Sequence, residues 1–140
     1  MLGVLAALFF ALWFGALETR ALFWPDEGRY AEVAREMAAS GDYVTPRLND
    51  LKYFEKPPLQ YWASAVAFRI FGPDEWSARL WPATTGFLVV IVSAALWWRW
   101  RGPAVGVLAG AMLASAWGIV FGAQILTLDM GLALFLSLAL

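Results

Sequence analysis

The sequence predicts an all-α protein, a polytopic bundle of membrane helices. The chain is 61% hydrophobic and 16% aromatic, with nine Trp in 140 residues, which lies outside the usual range for a soluble domain. Several of its apolar segments approach or exceed the roughly 20 residues that cross a bilayer core. The chain has no Cys and no His. Disulfides, Cys nucleophiles and catalytic His are therefore excluded within it, and a bound metal would need oxygen ligands.

Four apolar segments are expected to lie in the membrane. The first covers about residues 1–22, the second about 80–98 and the third about 103–121. The fourth begins near residue 130 and is still apolar at residue 140, so we expect an incomplete span and a longer protein. A cleaved signal peptide is the alternative for the first segment, but a basic n-region and a cleavage site are absent.

The third segment contains glycines at intervals of four residues. Such spacing favours close packing of helices in a membrane. The glycines are Gly102, Gly106, Gly110, Gly118 and Gly122.

The polar segment between the first two spans, about residues 23–79, begins with a predicted amphipathic helix. Apolar residues recur there at helical spacing, and Gly41 is placed to end the helix. We expect this helix to lie along the membrane interface. Its apolar face is formed by Tyr30, Val33, Ala34 and Met37.

After this helix, residues 42–55 are predicted to be extended or irregular, with a turn at Asn49-Asp50. Pro57-Pro58 then opens a second helix, residues 59–71, which Gly72 ends. The apolar face of this helix is predicted to be formed by Leu59, Trp62, Ala63, Val66 and Ile70.

Two Pro-Asp-Glu tripeptides begin at Pro25 and Pro73. The simple interpretation is a helix start, because Pro suits the first turn and Asp can cap it. The second tripeptide is expected to open a short helix before Pro82, where only a cap is needed. The alternative for Asp26 is an active site at a membrane surface.

Counting the spans places Asp26 and Asp129 on the same side of the membrane. A carboxylate at a membrane boundary is costly unless it is paired, hydrated or functional, and Asp129 could instead cap a helix beside Thr127. By the positive-inside rule, the Lys and Arg residues of the polar segment favour a cytoplasmic position for that segment. The same rule favours a cytoplasmic position for the short basic turn at residues 99–102, and the two indications conflict. We give the short turn more weight, since charges in long loops govern orientation less.

The stretch KYFEKPPLQYW, residues 52–62, brings Tyr53, Glu55 and Lys56 together before a helix. Lys56 could hold a phosphate as a point charge, and Glu55 could bind a metal ion. In an extended chain, Tyr53 and Glu55 share a face. The alternative is a solvated loop without a site.

Together these motifs resemble the aminoarabinose transferases, within the protein mannosyltransferase-like, polyprenyl-phosphate-dependent glycosyltransferases of GT-C architecture. The resemblance covers nearly all of the chain. The segments that carry it are Asp26-Glu27-x-Arg29-Tyr30, the run from Gly41 to Asn49, the run from Tyr53 to Leu59, and Thr127-Leu128-Asp129.

The resemblance implies an enzyme of the bacterial inner membrane that takes a sugar from an undecaprenyl-phosphate donor and passes it to a periplasmic acceptor such as lipid A. It places residues 23–79 on the periplasmic side, and it implies further spans and a soluble domain, so these 140 residues alone are expected to be inactive. Its partners are the donor, the acceptor and membrane lipid, with no nucleic acid.

Residue by residue, the resemblance implies catalytic roles for Asp26 and Asp129 and metal binding by Glu55 to a divalent ion. It implies substrate contacts for Arg29, Tyr30, Tyr53 and Lys56. Protein or glycan acceptors remain alternatives. A transporter or a structural membrane subunit is an alternative of another class, although the apolar interiors of the spans carry no ionisable residue, which disfavours transport.

Overall fold

The computed structural model describes residues 2–139. The chain forms two compact units, of which the first ends at Trp81 and the second begins at Pro82. Helices dominate both, with one two-stranded hairpin. In chain order the elements are α1 (Leu2–Gly15), α2 (Asp26–Ser40), β1 (Arg47–Leu48), β2 (Leu51–Lys52), α3 (Leu59–Phe71), α4 (Glu75–Arg101), α5 (Pro103–Ser115), α6 (Trp117–Ala123) and α7 (Asp129–Ala139).

Only α4, among the described residues, is a continuous helix both long and apolar enough to cross a membrane. Helices α5 and α6 reach that length together, but the chain bends by 62° between them. The third apolar segment, predicted as a single span, is therefore broken. The break lies at Ala116, whose backbone is extended, with φ −69° and ψ 121°. Just before it, the hydroxyl of Ser115 donates to the carbonyls of Ala111 and Met112, 2.9 and 3.1 Å away, in a pattern that often accompanies bent helices. Helices α1 and α7 are apolar but shorter.

Helix α2 has the amphipathic character predicted from its periodicity. Its predicted apolar face is buried in the first unit, where α2 packs against α3. Gly41 ends the helix with φ 74°, and its N–H donates to the Met37 carbonyl at 3.0 Å. This left-handed conformation suits glycine. The placement of α2 along a membrane interface stays a prediction.

The segment after α2 forms the hairpin of β1 and β2. Arg47 pairs with Lys52, and Leu48 pairs with Leu51. The turn at Asn49-Asp50 is confirmed, with φ values of 52° and 64°. Two successive positive φ angles are typical of the two-residue turns that match the twist of a hairpin.

Helix α3 has the predicted bounds, but its predicted apolar face is not the buried one. Trp62, Val66 and Ile70 are 41%, 49% and 66% exposed. The opposite side of α3 packs inward, in the unit where α3 contacts α2. The buried residues of α3 are Gln60, Tyr61, Ser64, Ala65, Ala67 and Phe68.

Helix α4 runs through Pro82, so the predicted short helix before that residue is wrong. Proline lacks the N–H that would bond to the carbonyl four residues earlier, which here belongs to Ala78. The hydroxyl of Ser64 approaches that carbonyl at 3.4 Å. A side chain of α3 thus compensates part of the loss, and the helix continues.

The glycines of the second unit divide into two kinds. A Cβ on Gly106 would lie 2.6 Å from the Cβ of Trp98, and one on Gly122 would lie 2.8 Å from Met130. Gly110 is also tight, at 3.0 Å from Ala94. Close packing is confirmed at these three positions. Gly118 has open space around it, and Gly102 has φ 92° with no close neighbour, so the packing interpretation fails for these two.

Candidate functional site

The two Pro-Asp-Glu tripeptides have different structures. Asp26 is the first residue of α2, and its N-terminus has no side-chain cap. The carboxylate of Asp26 is 59% exposed and pairs with Arg29 one turn along. Asp74 does act as a cap, since it accepts the N–H of Ser77 at 2.7 Å and its own N–H donates to the Ser77 hydroxyl at 3.1 Å. The cap interpretation is therefore right for Asp74 and wrong for Asp26.

Glu27, next to Asp26, points into the protein and is 1% exposed. Its carboxylate accepts hydrogen bonds from Arg79 at 2.8 and 2.9 Å. It also accepts one from Arg20 at 2.8 Å and one from the N–H of Phe23 at 2.7 Å. A buried charge needs partners of this kind. Sequence reasoning missed this role, because Glu27 was grouped with Asp26 as part of a helix start.

The guanidinium of Arg79, near the start of α4, is fully buried. Besides its two bonds to Glu27, it donates to the carbonyls of Leu17, Arg20 and Ala21, at 2.6, 2.9 and 3.0 Å. These five bonds use the full donor capacity of an arginine. Arg79 therefore joins three parts of the first unit: the turn that follows α1, the entry of α2 and the start of α4.

Three tyrosines gather beside Arg29, one from α2, one from α3 and one from the segment after β2. The ring of Tyr61 lies 6.1 Å from that of Tyr30 and 6.4 Å from that of Tyr53, measured between centroids. The guanidinium of Arg29 lies 5.9 Å from the centre of the Tyr30 ring. The predicted residues Tyr30 and Tyr53 are thus brought together, and Tyr61 is an additional member. Its helix was predicted, but the apolar pattern of α3 indicated the opposite face.

The stretch after β2 connects this tyrosine group to the predicted charged pair. The hydroxyl of Tyr53 donates to the Glu55 carboxylate at 3.1 Å. Glu55 and Lys56 are both exposed, and Lys56 forms no hydrogen bond or ion pair within residues 2–139. Its ammonium group is therefore open to an incoming anion.

Burial raises the pKa of the Tyr53 hydroxyl, and its hydrogen bond to Glu55 raises it further, whereas the positive charge of Arg29 lowers it. Burial also raises the pKa of Tyr61, whose hydroxyl oxygen has no partner among the described residues. Both hydroxyls are consequently protonated at neutral pH and can act as hydrogen-bond donors.

The described residues do not form a metal site by themselves. No group of three or more carboxylates comes together in this part of the chain. Glu55 is an exposed single carboxylate that accepts a bond from Tyr53, while the Asp26 carboxylate is engaged with Arg29. A divalent ion at Glu55 would need other ligands, and the role of Glu55 as a metal ligand stays a prediction.

Asp129 lies in the second unit, as the first residue of α7. Its side chain is exposed and has no hydrogen bond or ion pair among the described residues. The hydroxyl of Thr127 is buried without a partner in the same set. The other six predicted site residues all belong to the first unit.

Known proteins match this chain in both sequence and structure. Residues 1–140 match the family described as dolichyl-phosphate-mannose-protein mannosyltransferase. The undecaprenyl phosphate-alpha-4-amino-4-deoxy-L-arabinose arabinosyl transferase 1 of Sodalis glossinidius (strain morsitans) is 38% identical over 141 residues, covering 99% of this chain and 25% of that protein. The transferase of the corresponding name from Enterobacter sp. (strain 638) is 41% identical over 108 residues, covering 76% and 20%.

The crystal structures of ArnT from Cupriavidus metallidurans, in the apo state and bound to undecaprenyl phosphate, each match with a TM-score of 0.94 at 45% identity. Each match covers 97% of this chain and 25% of the ArnT chain. The chain therefore spans a quarter or less of the length of these relatives. The predicted GT-C-type helical membrane fold is confirmed by this likeness. Because the family match extends over the entire chain, the chain belongs to the dolichyl-phosphate-mannose-protein mannosyltransferase family.

Proposed function

We propose that the full-length protein is an integral-membrane glycosyltransferase. It transfers a sugar from an undecaprenyl-phosphate donor to an acceptor at the periplasmic face of the bacterial inner membrane, with aminoarabinose as the sugar and a lipid A phosphate as the acceptor. The observation that carries this proposal is the 45% identity and TM-score of 0.94 to ArnT bound to undecaprenyl phosphate. The cluster around Asp26 and Arg29 supplies chemistry that fits the reaction.

In this reaction, the bond between the anomeric carbon of the sugar and the donor phosphate oxygen breaks. Its electron pair stays on the phosphate, while an acceptor oxygen forms the new bond to the sugar. Negative charge therefore grows on the leaving group, and preorganised positive groups accelerate such a step. Arg29 and the exposed Lys56 can supply these charges, with Lys56 acting as a point charge.

Asp26 and Asp129 are proposed to act on the acceptor side. Each is exposed at the first residue of a helix, where the helix dipole stabilises negative charge. A phosphate acceptor is already anionic and needs no strong base, so orienting groups are sufficient for it. Tyr30 and Tyr53 line the same region, and Glu55 is the proposed contact of a divalent ion.

The experiment is transfer by the full-length protein in liposomes that contain undecaprenyl-phosphate-linked aminoarabinose and lipid A. Mass spectrometry should detect lipid A that is heavier by one aminoarabinose residue. Transfer to a protein or glycan hydroxyl instead would support the alternative acceptors. Movement of the donor across the vesicle without sugar transfer would reject the enzyme in favour of a transporter.

Two variants in one stretch test the phosphate role of Lys56. Lys56→Ala should raise the KM for the donor, because an exposed positive charge next to Glu55 is lost. Lys52→Ala removes another exposed lysine, from the hairpin, and should leave that KM unchanged. Equal KM values for the two variants would contradict the assignment of Lys56.

A further inference from the structure

The pair formed by Glu27 and Arg79 is buried beside the candidate site without belonging to it. Its two side chains are 1% and 0% exposed. Neither is among the residues that face the donor or the acceptor in the proposed reaction. Both charges are nevertheless held by several short hydrogen bonds, which indicates a fixed arrangement.

The helix geometry links this pair to Asp26. Consecutive residues of an α-helix point in directions about 100° apart. When the carboxylate of Glu27 is held inside the protein by Arg79, Asp26 is turned outward, and Arg29 lies one turn further on to meet it. The direction of Asp26 is therefore set by its neighbour on the chain.

We propose that Glu27 and Arg79 are positioning residues for the transfer reaction, an inference that rests on the proposed function. They hold the first turn of α2, and hence Asp26 and Arg29, in one orientation relative to the end of α1 and the start of α4. The bonds from Arg79 to the carbonyls of Leu17, Arg20 and Ala21 anchor the same guanidinium to the turn after α1. The Arg79 side chain thus holds the start of α2 against the turn that follows α1.

A role in stability alone would give a different result from positioning. A stabilising pair would lower the unfolding temperature when broken, but each molecule that stayed folded would turn over normally. A positioning pair would lower kcat in folded molecules, since misplacement of a reacting group by about 1 Å can cost on the order of 100-fold in rate.

The test uses full-length protein and the variant Glu27→Gln, which keeps the shape of the side chain and removes its charge. Arg79→Lys is a second variant that keeps the charge but cannot form five bonds. We expect kcat per folded molecule to fall by about 10- to 100-fold, with the KM for the donor changed much less. The matched control is Val90→Ala, which opens a cavity at a buried residue of α4 in the second unit and should lower stability without lowering kcat.

A second measurement does not depend on activity. Spin labels on cysteines placed at Glu18, after α1, and at Ala39, near the end of α2, report the distance between these two exposed sites in protein without other cysteines. In Glu27→Gln the distance distribution should shift or broaden, whereas Val90→Ala should match the wild type.

The inference requires that kcat per folded molecule and the spin-label distance change together. A normal kcat with a normal distance would show that the pair only stabilises the fold, and a change in one readout without the other would also overturn the inference. A wild type that transfers no sugar overturns the proposed function and with it the role of the pair in transfer. An active wild type with normal Glu27→Gln and Arg79→Lys variants overturns the present inference alone.

Discussion

At the scale of single residues, position decides more than residue type. Asp26 and Glu27 are adjacent acids, yet one is exposed beside Arg29 and the other is buried against Arg79. Asp74 has the same place in its Pro-Asp-Glu tripeptide as Asp26, yet only Asp74 caps a helix. If roles were assigned from the sequence motif alone, these three carboxylates would all receive the same role.

The contrast between Asp26 and Asp74 gives the first prediction. Asp26→Asn should reduce transfer by about 100- to 1,000-fold, as loss of one key electrostatic group commonly does. Its unfolding temperature should change little, because the exposed pair with Arg29 contributes little to stability. Asp74→Asn should be nearly normal in both respects, since Asn caps about as well as Asp. Turnover and thermal unfolding of both full-length variants check this prediction. Equal turnover of the two variants would show that the role of Asp26 is purely structural.

The tyrosine group gives a second prediction. Tyr61→Phe removes a buried hydroxyl that has no partner among the described residues, so the free energy of unfolding should be unchanged or raised by about 1 kcal/mol. Tyr53→Phe removes the hydroxyl that donates to Glu55 and should lower the free energy of unfolding by about 1 kcal/mol. Chemical denaturation of both variants measures the difference. A large loss of stability in Tyr61→Phe would show that its hydroxyl is satisfied by water or by another group.

At the scale of elements, the helices of the first unit were predictable, but the face that each one buries was not. The bounds of α3 were predicted correctly from its apolar periodicity, from the prolines before it and from the glycine after it. Its apolar residues did not mark the buried side, because the side that packs inward mixes small, polar and aromatic residues, among them Ser64, Ala65 and Tyr61, and apolar periodicity does not detect such a mixture. The break after Ser115 was equally hidden, since it lies at Ala116, an ordinary helix-forming residue type whose backbone is extended here, with φ −69° and ψ 121°.

Helix packing in the second unit gives the third prediction. Gly106→Ala places a methyl group 2.7 Å from the Ala94 carbonyl oxygen and 2.6 Å from the Trp98 Cβ, so α5 must move away from α4. The expected loss is about 1–3 kcal/mol of unfolding free energy. Gly118→Ala meets nothing within 4 Å and should be neutral or slightly stabilising. Thermal unfolding in detergent compares the two, and an equal loss would contradict the packing role of Gly106.

At the scale of the whole molecule, the sequence predicted some residues of the candidate site, but it predicted neither Tyr61 nor the buried pair that supports them. The grouping of Asp26, Arg29 and Tyr53 followed from the family resemblance, and the first unit brings these three together. Glu27 and Arg79 are 52 positions apart, and no local pattern links residues at that separation. Long-range ion pairs of this kind become visible only in the folded chain.

Orientation in the membrane gives the fourth prediction. The proposed function requires the segment between α1 and α4 to face outward and the basic end of α4 to face the cytoplasm. A cysteine at Val44, which is 85% exposed, should react with an impermeant thiol reagent applied to intact cells. A cysteine at the exposed Arg101 should react only after the membrane is opened. The reverse pattern would overturn the orientation and with it the periplasmic acceptor.

The bond between Glu27 and Arg79 also sets an order of events during synthesis. Chains are made at about 5–20 residues per second, so residue 79 follows residue 27 by roughly 3–10 s. Through that interval the Glu27 carboxylate can meet Arg20 but not Arg79, so it lacks the guanidinium that supplies two of its hydrogen bonds and must stay partly hydrated. The segment that contains Asp26 therefore reaches its final geometry only after the start of α4 has been made. The final geometry around Asp26 consequently waits for residue 79 and is not a local property of residues 24–30.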